Sequence, residues 1–474
     1  MLALFIALAL VGPLFFLQHS VVNVMHPALD ELSAVSIAER WSHPQMLKIR
    51  ALGEAAVPSL RRVLREKENP VIRFLLWLKI KWPGVTKYYS RFPDSQKLTE
   101  RRWVACQALQ TLGPTGKAAV PELITIFKGN DPIDLNGASM ALHAIGIEAE
   151  TCERLDALME QGVPSTARLQ IIFALGRVKP PTARTLKVLV AALADVAPYV
   201  QQQAAQALGQ FGISSPEIVS SLMKLQSTST NNLVIVSASA ALWDLQKDSS
   251  LVLPRVFQVL EHELTNFSKS PFPGSGGQGV SESEQVFMAC GSLFQRMNLS
   301  ESERAAALGI LDSYCKQSGR IFIRMLLLPS MMDLGFPSEK CLAVCLDGLS
   351  AEEDYYRIQA AGLLVQLGEK HSLDGADLEA LLRDRDVGVR IHAAKAHWRK
   401  NHRPEIVIPV LIESLDRSKY QSYYYAETQP VAVAALGEIG PQAKEAVGPL
   451  EKLLNDPNSA VVNMASNALT KIRK

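Results

Sequence analysis

Apolar residues recur along this chain three and four positions apart, and that spacing predicts short paired helices. Between residues 430 and 456, Ala432, Ala435, Leu436 and Ile439 occupy positions 0, +3, +4 and +7, one stripe of a helix. Gly440-Pro441 ends that helix, because glycine accepts a left-handed backbone and proline cannot continue the ladder. A second amphipathic run follows, with Ala446, Leu450, Leu453 and Leu454 on one side. Two helices this short cannot bury their stripes on each other alone, so the unit needs copies of itself on either side.

The copies are present. The same four-position register starts at Ala105, Ala138, Ile171, Ala204 and Ala238, which are 33, 33, 33 and 34 residues apart. Four apolar hits at a stated place arise by chance roughly one time in twenty, so constant spacing is not accidental. Cys290, Ala360, Ala432 and Ala465 start further full matches, and the last step is again 33. Two starts match in part. Ser330 breaks the stripe after Ile323, and His397 and Lys400 break it after Ala393. The stretch 286–350 follows the pattern least, although Ile321–Leu328 reads as buried core, being too short to span a bilayer.

Motif residues recur with the register. They are Ala-Leu-Gly at 207–209 and 435–437, Leu112-Gly113-Pro114, and the Val-Pro-x-Leu openings at Val57-Pro58-Ser59-Leu60 and Val120-Pro121-Glu122-Leu123. From about residue 46 onward the chain resembles the HEAT-repeat family, and within it the bacterial subtype called phycobilisome-lyase-like HEAT repeats. The resemblance implies an all-α fold, a right-handed α-solenoid of about 11–12 helix pairs of about 33 residues. It implies little about function, since stacked helix pairs serve many roles. In such solenoids the second helices line the concave side. Here they offer Glu122, Arg184, Lys187, Lys224, Arg255 and Gln258, a mixed polar surface with no single-sign funnel.

The organisation expected is an N-terminal segment, 1–25, followed by a solenoid over 26–474 with inserts near 70–92, 264–284 and 418–425. Residues 1–17 carry no charge, and Val21, Val22, Val24 and Met25 extend the apolar run. It reads as an uncleaved membrane anchor, a cleaved signal peptide or a buried capping helix. The first two place the protein at a membrane or export it to the cell envelope. No Lys or Arg precedes the run, so orientation is open.

Charge is balanced overall, 49 basic against 47 acidic residues, so net charge argues for no polyanionic partner. Locally it is not balanced. Residues 48–102 hold 14 basic and 5 acidic residues, a surplus of nine, and the 70–92 insert interleaves Trp77, Trp82, Tyr88 and Tyr89 with Lys79 and Lys81. Three readings stand for it: packing on the first repeat, contact with anionic lipid, or a nucleic-acid track. The 418–425 insert concentrates Tyr420, Tyr423, Tyr424 and Tyr425, suited equally to a partner surface or to local packing. These ten residues are the candidate partner contacts. Residues 264–284 read as a solvated Ser/Gly/Pro loop.

No catalytic, cofactor-binding or metal residue is assigned. The six cysteines form no CxxC and read as small buried hydrophobes. There is no HExxH, no phosphate-binding glycine motif and no nucleophile elbow. HEAT-like enzymes resembling deoxyhypusine hydroxylase hold iron with four His-Glu pairs, and this chain has one, His262-Glu263. His392, His397 and His402 are five apart, which spreads them around a helix. The function expected is a non-enzymatic protein–protein interaction scaffold. The alternatives are an accessory or lyase-like protein acting on a chromophore protein, by subtype analogy, and nucleic-acid binding through residues 48–102.

Overall fold

The computed structural model describes residues 26–35, 40–41, 43–66, 95–267, 281–370, 373, 376–416, 425–456 and 459–474. Among them there are helices and turns and no strand. The fold is an all-α solenoid of stacked helix pairs. A leading helix, α1 (His26–Ser33), precedes α2 (Pro44–Leu52) and α3 (Val57–Arg65). The pairs then run α4 (Ser95–Leu112) with α5 (Val120–Ile126), α6 (Pro132–Ile145) with α7 (Ala149–Glu160), and α8 (Ser165–Leu175) with α9 (Ala183–Ala192). They continue as α10 (Pro198–Phe211) with α11 (Pro216–Thr228), α12 (Asn232–Gln246) with α13 (Leu253–Phe267), and α14 (Glu282–Arg296) with α15 (Glu301–Ser318). Next come α16 (Ile321–Asp333) with α17 (Ser338–Leu349) and α18 (Asp354–Lys370) with the one-turn α19 (Leu378–Leu381). The series closes with α20 (Val387–Asn401) and α21 (Pro404–Glu413), α22 (Tyr425–Ile439) and α23 (Val447–Lys452), and a single α24 (Ser459–Ile472). The chain forms two compact units, residues 1–207 and 208–474, divided inside α10.

In the first unit α4 packs on α6 and α6 on α8, while the second helices α3, α5, α7 and α9 form the adjoining layer. In the second unit the first helices follow one another from α12 to α24 in the same way. Every register start from Ala105 to Ala465 is buried, including Ile323 and Ala393, where the sequence pattern is broken. The exceptions in that pattern are informative. Ser330 and His397 are buried at the stripe positions regardless of their polarity, whereas Lys400 is exposed.

Glycine sets the approach of neighbouring repeats. A Cβ on Gly176 would stand 2.6 Å from Ala207 Cβ, one on Gly209 3.0 Å from Ala241 Cα, and one on Gly437 3.1 Å from Ala468 Cα. Each glycine lies five residues after its register mark, and each alanine three after the next. The Ala-Leu-Gly motif is thus a contact between the first helices of successive repeats. Gly113 and Gly440 do another task. Their φ values of +56° and +69° turn α4 and α22 into one 3₁₀ passage, Gly113–Ala119 and Gly440–Ala446, which leads directly into the second helix.

Two expectations change. The stretch 286–350 is not irregular: it is two ordinary pairs, α14–α15 and α16–α17, with the expected core run Ile321–Leu328 opening α16. The 264–284 segment is partly helical, since α13 runs to Phe267 and α14 starts at Glu282 under a Ser281–Glu284 capping box. The inserts at 70–92 and 418–424 and the segment 1–25 lie outside the described residues. No helix among the described residues is long and apolar enough to cross a membrane.

Candidate interaction surface

The second helices carry the polar groups that sequence reading assigned to a free surface, and many of these are paired with the neighbouring repeat. Glu122 on α5 is buried, not exposed. Its carboxylate accepts from Arg61 Nε at 2.9 Å and Arg61 Nη2 at 3.0 Å, and from Arg65 Nε at 2.8 Å, all from α3. Burial alone would raise its pKa. Hydrogen bonds from the two guanidiniums outweigh that and hold the carboxyl below its usual range. Arg184 on α9 pairs with Asp156 on α7. Arg255 on α13 donates to Gln258 Oε1 at 2.6 Å and to the Gln226 carbonyl of α11 at 3.3 Å. Lys187, Met223 and Lys224 remain exposed.

Arginine–carboxylate pairs also join neighbouring helices and their connecting turns. Arg101 grips Asp30 through 2.6 and 2.8 Å bonds, and Arg168 grips Asp195 at 2.7 and 2.8 Å. Arg102 reaches Asp134 at 2.8 Å, and burial still pushes that carboxyl up. In the second unit Arg296 meets Asp244, Arg324 meets Asp347, and Arg399 meets Glu438. The basic surplus of residues 48–102 therefore looks different once folded. Arg61, Arg65, Arg101 and Arg102 are all committed to carboxylates within the fold.

A cavity of about 340 Å³ opens between α15 and α17 over α16. Leu328, Met331, Phe336 and Val344 make its floor, and Lys316, Arg324 and Lys340 stand with Asp312 among its lining residues. Lys316 Nζ is 2.6 Å from Asp312, and Arg324 Nη1 is 2.9 Å from Asp347. The Lys340 ammonium lies 5.7 Å from the centre of the Phe336 ring.

No reactive cluster accompanies this surface among the described residues. The six cysteines are free and buried, and burial pushes the Cys315 and Cys345 thiols up to about 12 and Cys341 to about 11. No group of three or more His, Cys, Asp and Glu side chains is arranged to hold a metal ion among these residues. His262 contacts Asn266, while Glu263 accepts from Asn232 and Ser283, so the single His-Glu pair acts in two separate networks. His397 is in the core with neither ring nitrogen hydrogen-bonded, His392 faces Gly362, and His402 caps α20 in a left-handed conformation.

The candidate partner contacts are not brought together by anything visible here. Trp77, Lys79, Lys81, Trp82, Tyr88, Tyr89, Tyr420, Tyr423 and Tyr424 lie outside the described residues. Tyr425 is the first residue of α22, and its side chain lies outside them too. The cavity was missed because its wall comes from three helices of the segment where the repeat pattern is weakest.

Residues 155–243, spanning α7 to α12, match the family model for HEAT repeats. No curated protein matches the sequence. Among solved structures, the chain is similar to the Kap95:Nup1 complex at 10% identity and TM-score 0.46, covering 95% of this chain and 68% of that one. It is similar to the S. pombe condensin Cnd3–Cnd2 subcomplex at 12% identity and TM-score 0.37, covering 94% and 76%. It is similar to human deoxyhypusine hydroxylase at 16% identity and TM-score 0.24, covering 76% and 99%.

Proposed function

We propose that this protein is a non-enzymatic scaffold that binds another protein through its second-helix face. The observation that carries this reading is the division of labour among the polar side chains. Cross-repeat pairs such as Arg65–Glu122 and Arg184–Asp156 tie the second helices of the first unit together, and outward second-helix positions remain in each unit, Lys187 in the first and Met223 and Lys224 in the second. A stiff, mixed polar and apolar face suits a protein partner, because less order has to be imposed on binding. The commitment of four arginines of the basic segment to internal pairs weighs against a nucleic-acid track. The Ala-Leu-Gly contacts support the phycobilisome-lyase-like subtype.

The uncharged run at residues 1–17 supports tethering at a membrane.

Site-specific photo-cross-linking in cells tests the scaffold reading. A benzoylphenylalanine at Lys187 or Lys224 is expected to trap a discrete partner, and one at Gln206, exposed on the first helix α10, is not. Equal trapping from both faces, or none from either, would overturn it. Fractionation with N-terminal mass analysis tests the tether: an intact N-terminus in the membrane fraction is expected, and intact soluble protein would remove it.

A further inference from the structure

The cavity between α15 and α17 has a composition of its own. Its floor residues Leu328, Met331, Phe336 and Val344 are buried, while Ala343 at its mouth is exposed. Its volume of about 340 Å³ sits at the small end of the ligand-pocket range, enough for one bulky side chain and too small for a folded element. Three cations and one carboxylate line it. Asp312 and Asp347 answer Lys316 and Arg324, but no carboxylate pairs with Lys340 among the described residues, and its ammonium rests only over the Phe336 ring.

We propose that this cavity docks an acidic peptide segment of a partner protein, with one bulky apolar side chain in the cavity and its flanking carboxylates on Lys340 and the cationic rim. The assignment rests on the scaffold reading and names the chemistry of the partner. Charge complementarity selects the occupant. A neutral apolar group would leave Lys340 without a carboxylate, and a basic segment would meet Lys340 as an unopposed like charge. The apolar anchor supplies most of the affinity, as desolvated central pockets do, and the rim sets orientation and salt dependence. Placement on the second-helix side and a mouth open to solvent favour a peptide over an enclosed small amphiphile.

The test uses the full chain and a fluorescein-labelled nonapeptide with one central tryptophan flanked by glutamates, followed by anisotropy. Saturable one-to-one binding is expected. Replacing the tryptophan by alanine, or the glutamates by glutamines, is expected to weaken it at least tenfold. Lys340→Glu is expected to weaken it about tenfold at low salt. Ala343→Trp, at an exposed position, is expected to block it while leaving thermal unfolding unchanged. Absence of binding, binding insensitive to the tryptophan, or binding that survives Ala343→Trp would each overturn the proposal. So would laurate binding that Ala343→Trp removes in a protein that ignores the peptide. If a partner trapped from Lys187 is trapped equally in the Ala343→Trp protein, the cavity assignment falls and the scaffold reading stands.

Discussion

Gly176, which caps α8, lies so close to Ala207 of α10 that a Cβ on the glycine would approach the alanine Cβ to 2.6 Å. Gly176 caps the C-terminus of α8 with a right-handed backbone, φ −65°, so space and not backbone strain forbids a side chain. Gly176→Ala would gain less than the roughly 1 kcal/mol that alanine holds over glycine inside a helix, because the position is a C-cap. Overpacking of the seam costs about 1–3 kcal/mol. The expected outcome in chemical denaturation is a net loss on the order of 1 kcal/mol. Ala207→Gly in the same chain is expected to cost less than it does alone, because it reopens the seam.

Removing the charge of Glu122 tests the cross-repeat pairs. Glu122→Ala leaves Arg61 without its partner and is expected to cost about 1–3 kcal/mol. The carboxyl is held below its usual range in the folded state, so its stabilisation is complete above the unfolded value. It is lost as pH falls through the folded one. Denaturation midpoints measured from pH 6 down to 3 are therefore expected to fall below about pH 5, and less steeply in Glu122→Gln.

His397 takes the +4 position of its stripe, where Leu109, Leu142, Leu175 and Leu436 stand in other repeats. Neither ring nitrogen is hydrogen-bonded, and Glu379 is 3.9 Å away. His397→Leu is expected to stabilise the chain by about 1–2 kcal/mol, because it removes an unsatisfied buried polar group.

Burial lowers the pKa of His397, and burial with Lys395 nearby lowers His392 to about 4. Both stay neutral in the fold while the unfolded chain takes up protons below about pH 6.5. Stability from these rings is thus present above that pH and declines as pH falls toward the folded values. Acid titration monitored by circular dichroism is expected to show this early loss, and His392→Phe is expected to reduce it.

The thiols offer a test of burial. Alkylation by iodoacetamide at pH 8 is expected to leave all six cysteines unmodified in the folded protein and to modify them in denaturant, since the thiolate is the reactive form and burial suppresses it. Rapid native reaction at Cys315 would mean that the α15–α17 region opens.

Repeat length and the buried stripe could be read directly from the chain because both depend on spacing. Gly440-Pro441 and Gly113-Pro114 marked real turns for the same local reason. Glu122 was misread as surface because the arginines that bury it lie 57 and 61 residues earlier, a separation that helical periodicity does not report. The pair α14–α15 had a local signal of a different kind. Ser281–Glu284 and Ser300–Glu303 are capping boxes that mark two helix starts where the apolar pattern is weak. The cavity had no such signal, since its walls are core residues of three helices and only their arrangement makes a site.

The glycine–alanine seam has a consequence for how such a chain can grow. Gly176 and Gly209 meet Ala207 and Ala241 through the same pair of positions, 33 residues apart. Excising residues 176–208 would bring Gly209 into the place of Gly176, with an alanine still opposite it. Because each joint is built from the same two halves, a repeat can be duplicated or deleted as a unit without inventing a new joint. The length of the array is then free to change while the contact that holds it together stays the same.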